Sequence, residues 1–152
     1  MKGFHIEFNG TASMPIGFYR EVHAPMRVGN LVSVCLPMAV AKEGVERGYL
    51  STGYCRGHAI AVLKKVIALP GDTVTVTTKG MQVGSHFYDA PVESRDHNGK
   101  RVKRFISNGT YHKTPDVWLY GSNDFLQSWD SRYYGGVSLD AIQGQYKPFL
   151  TF

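Results

Sequence analysis

Three short segments of the chain carry residues able to do chemistry. Ser13 stands in Thr11-Ala12-Ser13-Met14-Pro15-Ile16-Gly17, a run of small and turn-prone residues ahead of Phe18-Tyr19. A nucleophilic serine needs an exposed hydroxyl on a sharply bent backbone, with N–H donors near the developing oxyanion. This segment suits that need, and it equally suits an ordinary surface-turn serine. Lys64 and Lys65 lie inside the apolar, β-branched run from Ala59 to Leu69. In a strand, alternate residues share a face. Ile60, Val62, Lys64 and Val66 would share one, and Ala61, Leu63, Lys65 and Ile67 the other. A lysine held among apolar neighbours loses solvation of its charged form, and its pKa falls. The neutral amine can then act as a general base. The competing reading has one or both lysines snorkelling to water from a strand edge. The third segment is Ser128-Trp129-Asp130-Ser131-Arg132-Tyr133-Tyr134-Gly135-Gly136. Asp130 and Arg132 can orient each other or support a neighbouring catalytic group, or they can form a solvated ion pair in a loop.

These segments need elements to hold them. Leu31 to Leu36 reads as a buried strand, and Met38 to Leu50 has room for one short helix, weakened by Gly44 and Gly48. Ser51 to His58 reads as a loop. The run after it ends in a turn at Pro70-Gly71-Asp72. Thr73 to Thr78 alternates Thr and Val, and Lys79-Gly80 turns the chain into Met81-Gln82-Val83, the second arm of a hairpin. The polar stretch 94–104 reads as an exposed, mobile insertion. Val117 to Tyr120 is another strand, and Val137-Ser138-Leu139 and the aromatic tail after Gln145 close the chain. The expected fold is mainly β and sheet-rich, with one or two short helices, in a single domain over residues 1–152.

The 152 residues are one domain's worth, and with 43% apolar and 19% charged residues the chain can bury a core. A net charge of +5 permits an anionic partner without requiring one. Lys100 to Arg104 is the dense basic patch, and a basic β-domain that binds nucleic acid is the reading it would support. The six histidines show no metal-ligand spacing such as His-Glu-x-x-His, so no metal or cofactor is expected. The longest nearly apolar run, Leu31 to Ala41, falls short of the roughly 20 residues that a bilayer helix needs. The start of the chain shows no signal-peptide pattern. Cys35 and Cys55 lie twenty positions apart. A single bridge would fit a periplasmic or secreted protein and two buried thiols a cytosolic one, and composition leaves both open.

Taken in chain order, the three segments resemble the signal peptidase family, the serine–lysine membrane proteases. Ser13-Met14 is similar to its nucleophile box, Lys64 to Asp72 to its general-base box, and Ser128 to Gly135 to its C-terminal Asp-Ser-Arg-Tyr box. Pro15 directly after the Ser-Met pair, the Gly17-Phe18-Tyr19 segment, Val34-Cys35-Leu36-Pro37, Gly48-Tyr49-Leu50 and Gly53-Tyr54-Cys55 resemble the conjugative-transfer, TraF-type branch. The resemblance implies an endopeptidase in which Ser13 attacks the scissile carbonyl and Lys64 is the base. It implies oxyanion donors at the Ser13 N–H and the Thr11 hydroxyl. Ser128 would orient the base, Asp130 would be functional, and Arg132 would be its ion-pair partner. It implies pilin precursors of a conjugation (type IV secretion) apparatus as substrate, with cleavage open to coupling with cyclisation. The alternative within the same chemistry is a general signal peptidase. It implies a site at the periplasmic face of the inner membrane, reached through an N-terminal anchor missing from this chain, and no nucleic acid. In that compartment a Cys35–Cys55 bridge is expected.

Overall fold

Short β-branched and aromatic runs, punctuated by turn residues, divide the chain into many short strands. The computed structural model describes residues 5–10, 14–122 and 128–152. Within them the chain forms β1 (Ile6–Asn9), β2 (Gly17–Val22), β3 (Leu31–Val34), α1 (Met38–Glu46), β4 (Thr52–Cys55), β5 (Val62–Ala68) and β6 (Val74–Val76). There follow β7 (Gly80–Val83), β8 (His86–Asp89), β9 (Gly109–Tyr111), β10 (Trp118–Tyr120), α2 (Ser131–Tyr134) and β11 (Ile142–Thr151). A six-stranded sheet runs in the order β1-β2-β11-β3-β5-β10, and a four-stranded sheet in the order β8-β7-β6-β9. Every strand pair in both is antiparallel. The mainly β fold is as the sequence leads one to expect. Neither helix is long and apolar enough to cross a membrane.

β5 joins the two cores because its alternate residues face opposite ways. Val66 enters a cluster with Val32, Val34, Leu36, Val117, Leu119, Trp129 and Tyr133. Ile67 enters a second cluster with Val74, Val76, Met81 and Trp118. Each fully buried aliphatic side chain here contributes about 1.5–3 kcal/mol relative to exposure, so both faces of β5 are fixed by packing.

Several elements differ from the sequence expectation. The 51–58 segment is not plain loop. It contains β4 and a 3-10 turn over Arg56–His58, and bridges Thr52↔Ala59 and Cys55↔Ala59 fold it back on itself. Gly53 permits this close return, since a Cβ there would lie 2.6 Å from the Ile60 Cα. α1 is shorter than the span allowed for it and ends at Glu46, ahead of Gly48. The 94–104 stretch is exposed only in part. Asp96 and Val102 are buried, the first by hydrogen bonds and the second in the larger core. β1, β2, β8, β9 and α2 have no counterpart in the sequence reading.

The Cys35 and Cys55 sulfurs are bonded, with Cα atoms 5.4 Å apart, tying the end of β3 to the end of β4 around α1. In the chain-entropy model a loop of this length contributes roughly 3 kcal/mol. The Cys35→Ser, Cys55→Ser double variant should therefore lose about that much stability in urea titration, with a larger m-value because the unlinked unfolded chain exposes more surface. A loss below about 0.5 kcal/mol would mean that the bridge constrains nothing the fold does not already fix.

Candidate active site

β5 lies between β3 and β10, and its register pairs Lys64 with Val32. Lys64 shares a face with Val66, which is fully buried, and is itself only 5% exposed. Lys65 points to the opposite face and is partly exposed. The two-way choice left by the alternation pattern is thus made by packing: Lys64 is the buried lysine. Its pKa is lowered from 10.5 to about 8. Loss of hydration is the main cause, Asp130 opposes it, and Arg132 adds to it. Roughly a tenth of such an amine is neutral at pH 7, about half at pH 8 and roughly nine-tenths at pH 9.

The residues that surround Lys64 come from the loop after β10 and from the start of α2. Asp130 caps α2 by accepting from the Arg132 backbone N–H at 3.1 Å. Its two carboxylate oxygens also take a bidentate pair from the Arg132 guanidinium. Nε donates to Oδ1 and Nη2 to Oδ2, each at 2.8 Å. Both side chains are fully buried. A solvated ion pair in a loop is therefore ruled out, and the fork-to-fork geometry is the strong form of this contact. Arg132 further donates to the carbonyls of Pro91, at 3.3 Å, and of Ser122.

Asp130 Oδ2 also accepts from the Gly121 N–H at 2.9 Å and from the Ser128 hydroxyl at 3.0 Å. Ser128 Oγ in turn accepts from the Ser122 N–H at 2.9 Å. These bonds set the serine oxygen beside Gly121 and Lys64. A Cβ on residue 121 would collide with Ser128 Oγ and fall 3.1 Å from Lys64 Nζ. Only glycine leaves room for the serine and the amine to approach. Gly121 is a site residue that sequence reasoning missed. Its one signal is a glycine directly after a strand that ends in Tyr120.

Lys64 and Ser128 sit in a cleft of about 310 Å³. One wall is the segment Ile60 to Leu63, which leads into β5; another holds Tyr49, Trp129, Asp96 and His97; a third holds Glu7 to Gly10 with Tyr19 and Tyr146. Tyr49 donates to Asp96 Oδ2 at 2.9 Å and packs against Trp129, ring centres 5.3 Å apart. This polar wall was not legible in the sequence, because Tyr49 and Asp96 lie 47 residues apart. Ser13 and Thr11 lie outside the described residues. On either side of them Gly10 lines the cleft and Met14 is buried. Asn9 Nδ2 donates to the carbonyls of Met14 and Pro15, both at 3.3 Å, and the Tyr19 hydroxyl donates to Pro15 O at 2.5 Å. The β1–β2 connection is thus anchored at both ends beside the cleft. Among the described residues, no three His, Cys, Asp or Glu side chains stand close enough to hold a metal ion.

A buried amine of lowered pKa, lining an open cleft, is an arrangement suited to base-assisted acyl transfer. Comparison with known proteins finds a peptidase family. The family model described as signal peptidase, peptidase S26, matches residues 8–150. The chain is 32% identical over 147 residues to the conjugal transfer protein TraF of Agrobacterium fabrum (strain C58 / ATCC 33970), covering 95% of this chain and 81% of that protein. It is 33% identical over 146 residues to a plasmid transfer protein TraF of Escherichia coli, covering 95% and 82%. A crystal structure of a signal peptidase I from Enterococcus faecalis V583 aligns over 82% of this chain and 97% of that one, with 18% identity and a TM-score of 0.43. Since the family match runs through all three chemical segments and leaves only the chain ends outside it, this chain belongs to the signal peptidase family, peptidase S26.

Proposed function

We propose that this peptidase is a serine endopeptidase with a Ser13–Lys64 dyad, and that it processes exported pilin precursors for bacterial conjugation. The observation that carries this reading is the amine of Lys64, dry at the base of the cleft and partly neutral near neutral pH. Lys64 takes the Ser13 hydroxyl proton as Oγ attacks the scissile carbonyl. The same proton then passes to the leaving amine as the tetrahedral intermediate collapses to an acyl-enzyme. Water, or an amine of the substrate itself, resolves the ester. The Ser13 N–H and the Thr11 hydroxyl serve as oxyanion donors, and each such donor is worth roughly 2.7–4 kcal/mol of barrier. Ser128, held by Asp130, orients the amine. Asp130 and Arg132 are positioning residues.

The pilin reading is supported by the names of the TraF relatives, which are conjugal and plasmid transfer proteins. A place at the periplasmic face of the inner membrane is supported by the family, by the Cys35–Cys55 bond and by the outer face of the large sheet. The register puts Phe8 opposite Phe18 and Phe18 opposite Leu150, all three exposed. Arg20 and Lys147 pair one step along the same face. Aromatic side chains beside cations suit contact with an anionic bilayer surface.

Ser13→Ala and Lys64→Ala should each lower kcat/KM on a pilin precursor by at least about ten-thousand-fold. The double variant should be little worse, because each loss removes the same proton transfer. Lys65→Ala should stay active, and mass spectrometry of the products follows all four proteins. A dead Lys65→Ala beside an active Lys64→Ala would sink the assignment of the base.

The pH profile follows from the amine. Rates should rise with pH through about 8 and hold above it. Linkage gives the sign for stability. Between about 8 and the unfolded value of 10.5 the unfolded chain binds more protons, so stability rises with pH across that window. Below it the buried ammonium costs the fold up to about 3 kcal/mol. Lys64→Met should therefore melt higher than the parent at pH 7 while being inactive, and differential scanning calorimetry reads the difference.

Asp130→Asn tests positioning against a purely structural role. Losing one partner of a buried pair costs about 3–5 kcal/mol, so the melting temperature should fall. The carboxylate also raises the Lys64 pKa, and its removal should move the acidic limb of kcat to lower pH. Loss of stability with an unmoved pH profile would leave Asp130 structural only.

A further inference from the structure

Lys100 to Arg104 is the densest basic run of the chain, and the proposed chemistry does not use it. The run is one arm of a hairpin whose closing turn is built into the cleft wall. The arms meet at the Arg95↔Arg101 bridge and at backbone bonds from Asp96 N to Lys100 O, 2.8 Å, and from Val102 N to Ser94 O, 2.9 Å. Asp96, the hairpin's own carboxylate, is already committed. It accepts from the amides of Asn98 and Lys100 at 2.9 and 3.0 Å and from the Tyr49 hydroxyl at 2.9 Å. Burial works against its charge, but these donors outweigh it and hold its pKa below the ordinary carboxylate value. Val102 enters the larger core. The hairpin is therefore held in place, and Asp96 and His97, at its closing turn, line the same cleft as Lys64 and Ser128.

What the hairpin presents outward is positive. Arg95, Lys100, Arg101 and Lys103 are exposed, and none forms an ion pair among the described residues. Arg95 and Arg101 sit opposite each other, a like-charge pairing that costs stability in a ladder. Arg104 by contrast is spent inside, donating to Arg132 O at 3.0 Å and to Asn108 at 2.8 Å. Uncompensated cations, preorganised at the rim of a substrate cleft, call for an anion. A single-stranded nucleic acid would want aromatic platforms for its bases, yet Phe105, the aromatic ring beside the run, is partly buried and covered by Lys103 Nζ at 4.9 Å. A chain that continues out of a peptide cleft is itself a peptide.

We propose that the 94–104 hairpin docks an acidic stretch of the polypeptide substrate a few residues from the bond that is cut, with Arg95, Lys100, Arg101 and Lys103 as its contacts. This specificity rests on the peptidase reading of the cleft. Exposed ion pairs are individually weak and screened by salt, so the preference should be strongest at low ionic strength.

The test uses two fluorescein-labelled peptides, Asp-Glu-Asp-Glu-Ala-Ala-Ala and its amide counterpart Asn-Gln-Asn-Gln-Ala-Ala-Ala. Fluorescence anisotropy with the full chain should give a Kd about tenfold lower for the acidic peptide, ~1.4 kcal/mol. The difference should shrink to near zero in high salt. It should also vanish in the Lys100→Gln, Arg101→Gln, Lys103→Gln variant, whose circular dichroism should match the parent because the three side chains are exposed. Equal affinities in the parent, or an unchanged preference in the triple variant, would overturn the proposal. So would tighter binding of a single-stranded oligonucleotide or of phosphatidylglycerol vesicles through the same three residues. Mass spectrometry of pilin precursor incubated with the parent separates this proposal from the one it rests on. An acidic preference without any cleavage leaves the surface standing and removes the peptidase reading. Cleavage with equal peptide affinities does the reverse.

Discussion

The site depends on keeping one lysine amine dry. Lys64 could be neutralised by burial or by a nearby cation, and the structure favours burial. The closest charges, Asp130 and Arg132, act on it in opposite directions. They are bound to each other by two 2.8 Å contacts, so their sum at Nζ is the field of a dipole rather than of a charge. Desolvation is left as the deciding effect. A lone aspartate at the same place would have held the amine protonated and useless as a base. The buried arginine is thus needed as much for what it cancels as for what it holds.

That balance explains why so much of the C-terminal box is buried. An ionised pair fully removed from water is expensive unless every donor and acceptor is used. Asp130 receives the Arg132 side chain and backbone, the Gly121 amide and the Ser128 hydroxyl, and Arg132 reaches two further carbonyls. The network does mechanical work as well. It fixes Gly121 and Ser122, directly after β10, against Ser128 and the start of α2, and that places Ser128 Oγ next to the amine. Gly121 marks how tight the fit is, since a single added carbon would separate the two groups.

The sequence was informative where local pattern and function coincide, and poor where a residue's task depends on a distant partner. Alternation in the Ala59–Leu69 run reduces the proposed base to Lys64 or Lys65, but it cannot say which face of β5 lies inward. That is decided by β3 and β10 on either side and by Val66 entering the core. The order Ser128-x-Asp130-x-Arg132 was visible, while its burial was not, because an Asp-x-Arg in a glycine-flanked loop reads equally as a surface pair. Gly121 acts on a serine seven positions later and on a lysine in another strand. The polarity of 94–104 reads as exposure throughout, yet Asp96 finds its hydroxyl donor at Tyr49, 47 residues away in the chain. Strands as short as β1, β8 and β9, three or four residues each, give too few alternations to stand out and take their form from the ladders they join.

The cleft and its surroundings divide the work of recognition by dielectric environment. At its base the charges are paired or neutral, and what acts there is geometry: a dry amine, an oriented hydroxyl and no room for an extra carbon. At its rim the charges are exposed and unpaired, so what acts there is weak, long-ranged and sensitive to salt. The two ends are joined by one wall, Tyr49 with Asp96 and Trp129. Asp96 keeps its own negative charge at the closing turn of a positive hairpin without forming an ion pair with the cations beside it. Had that carboxylate lacked the Tyr49 hydroxyl and the two amides, it would have been available to pair with Lys100 or Arg101 and to cancel the field. Satisfying one carboxylate internally is therefore what leaves the rim of the cleft positive.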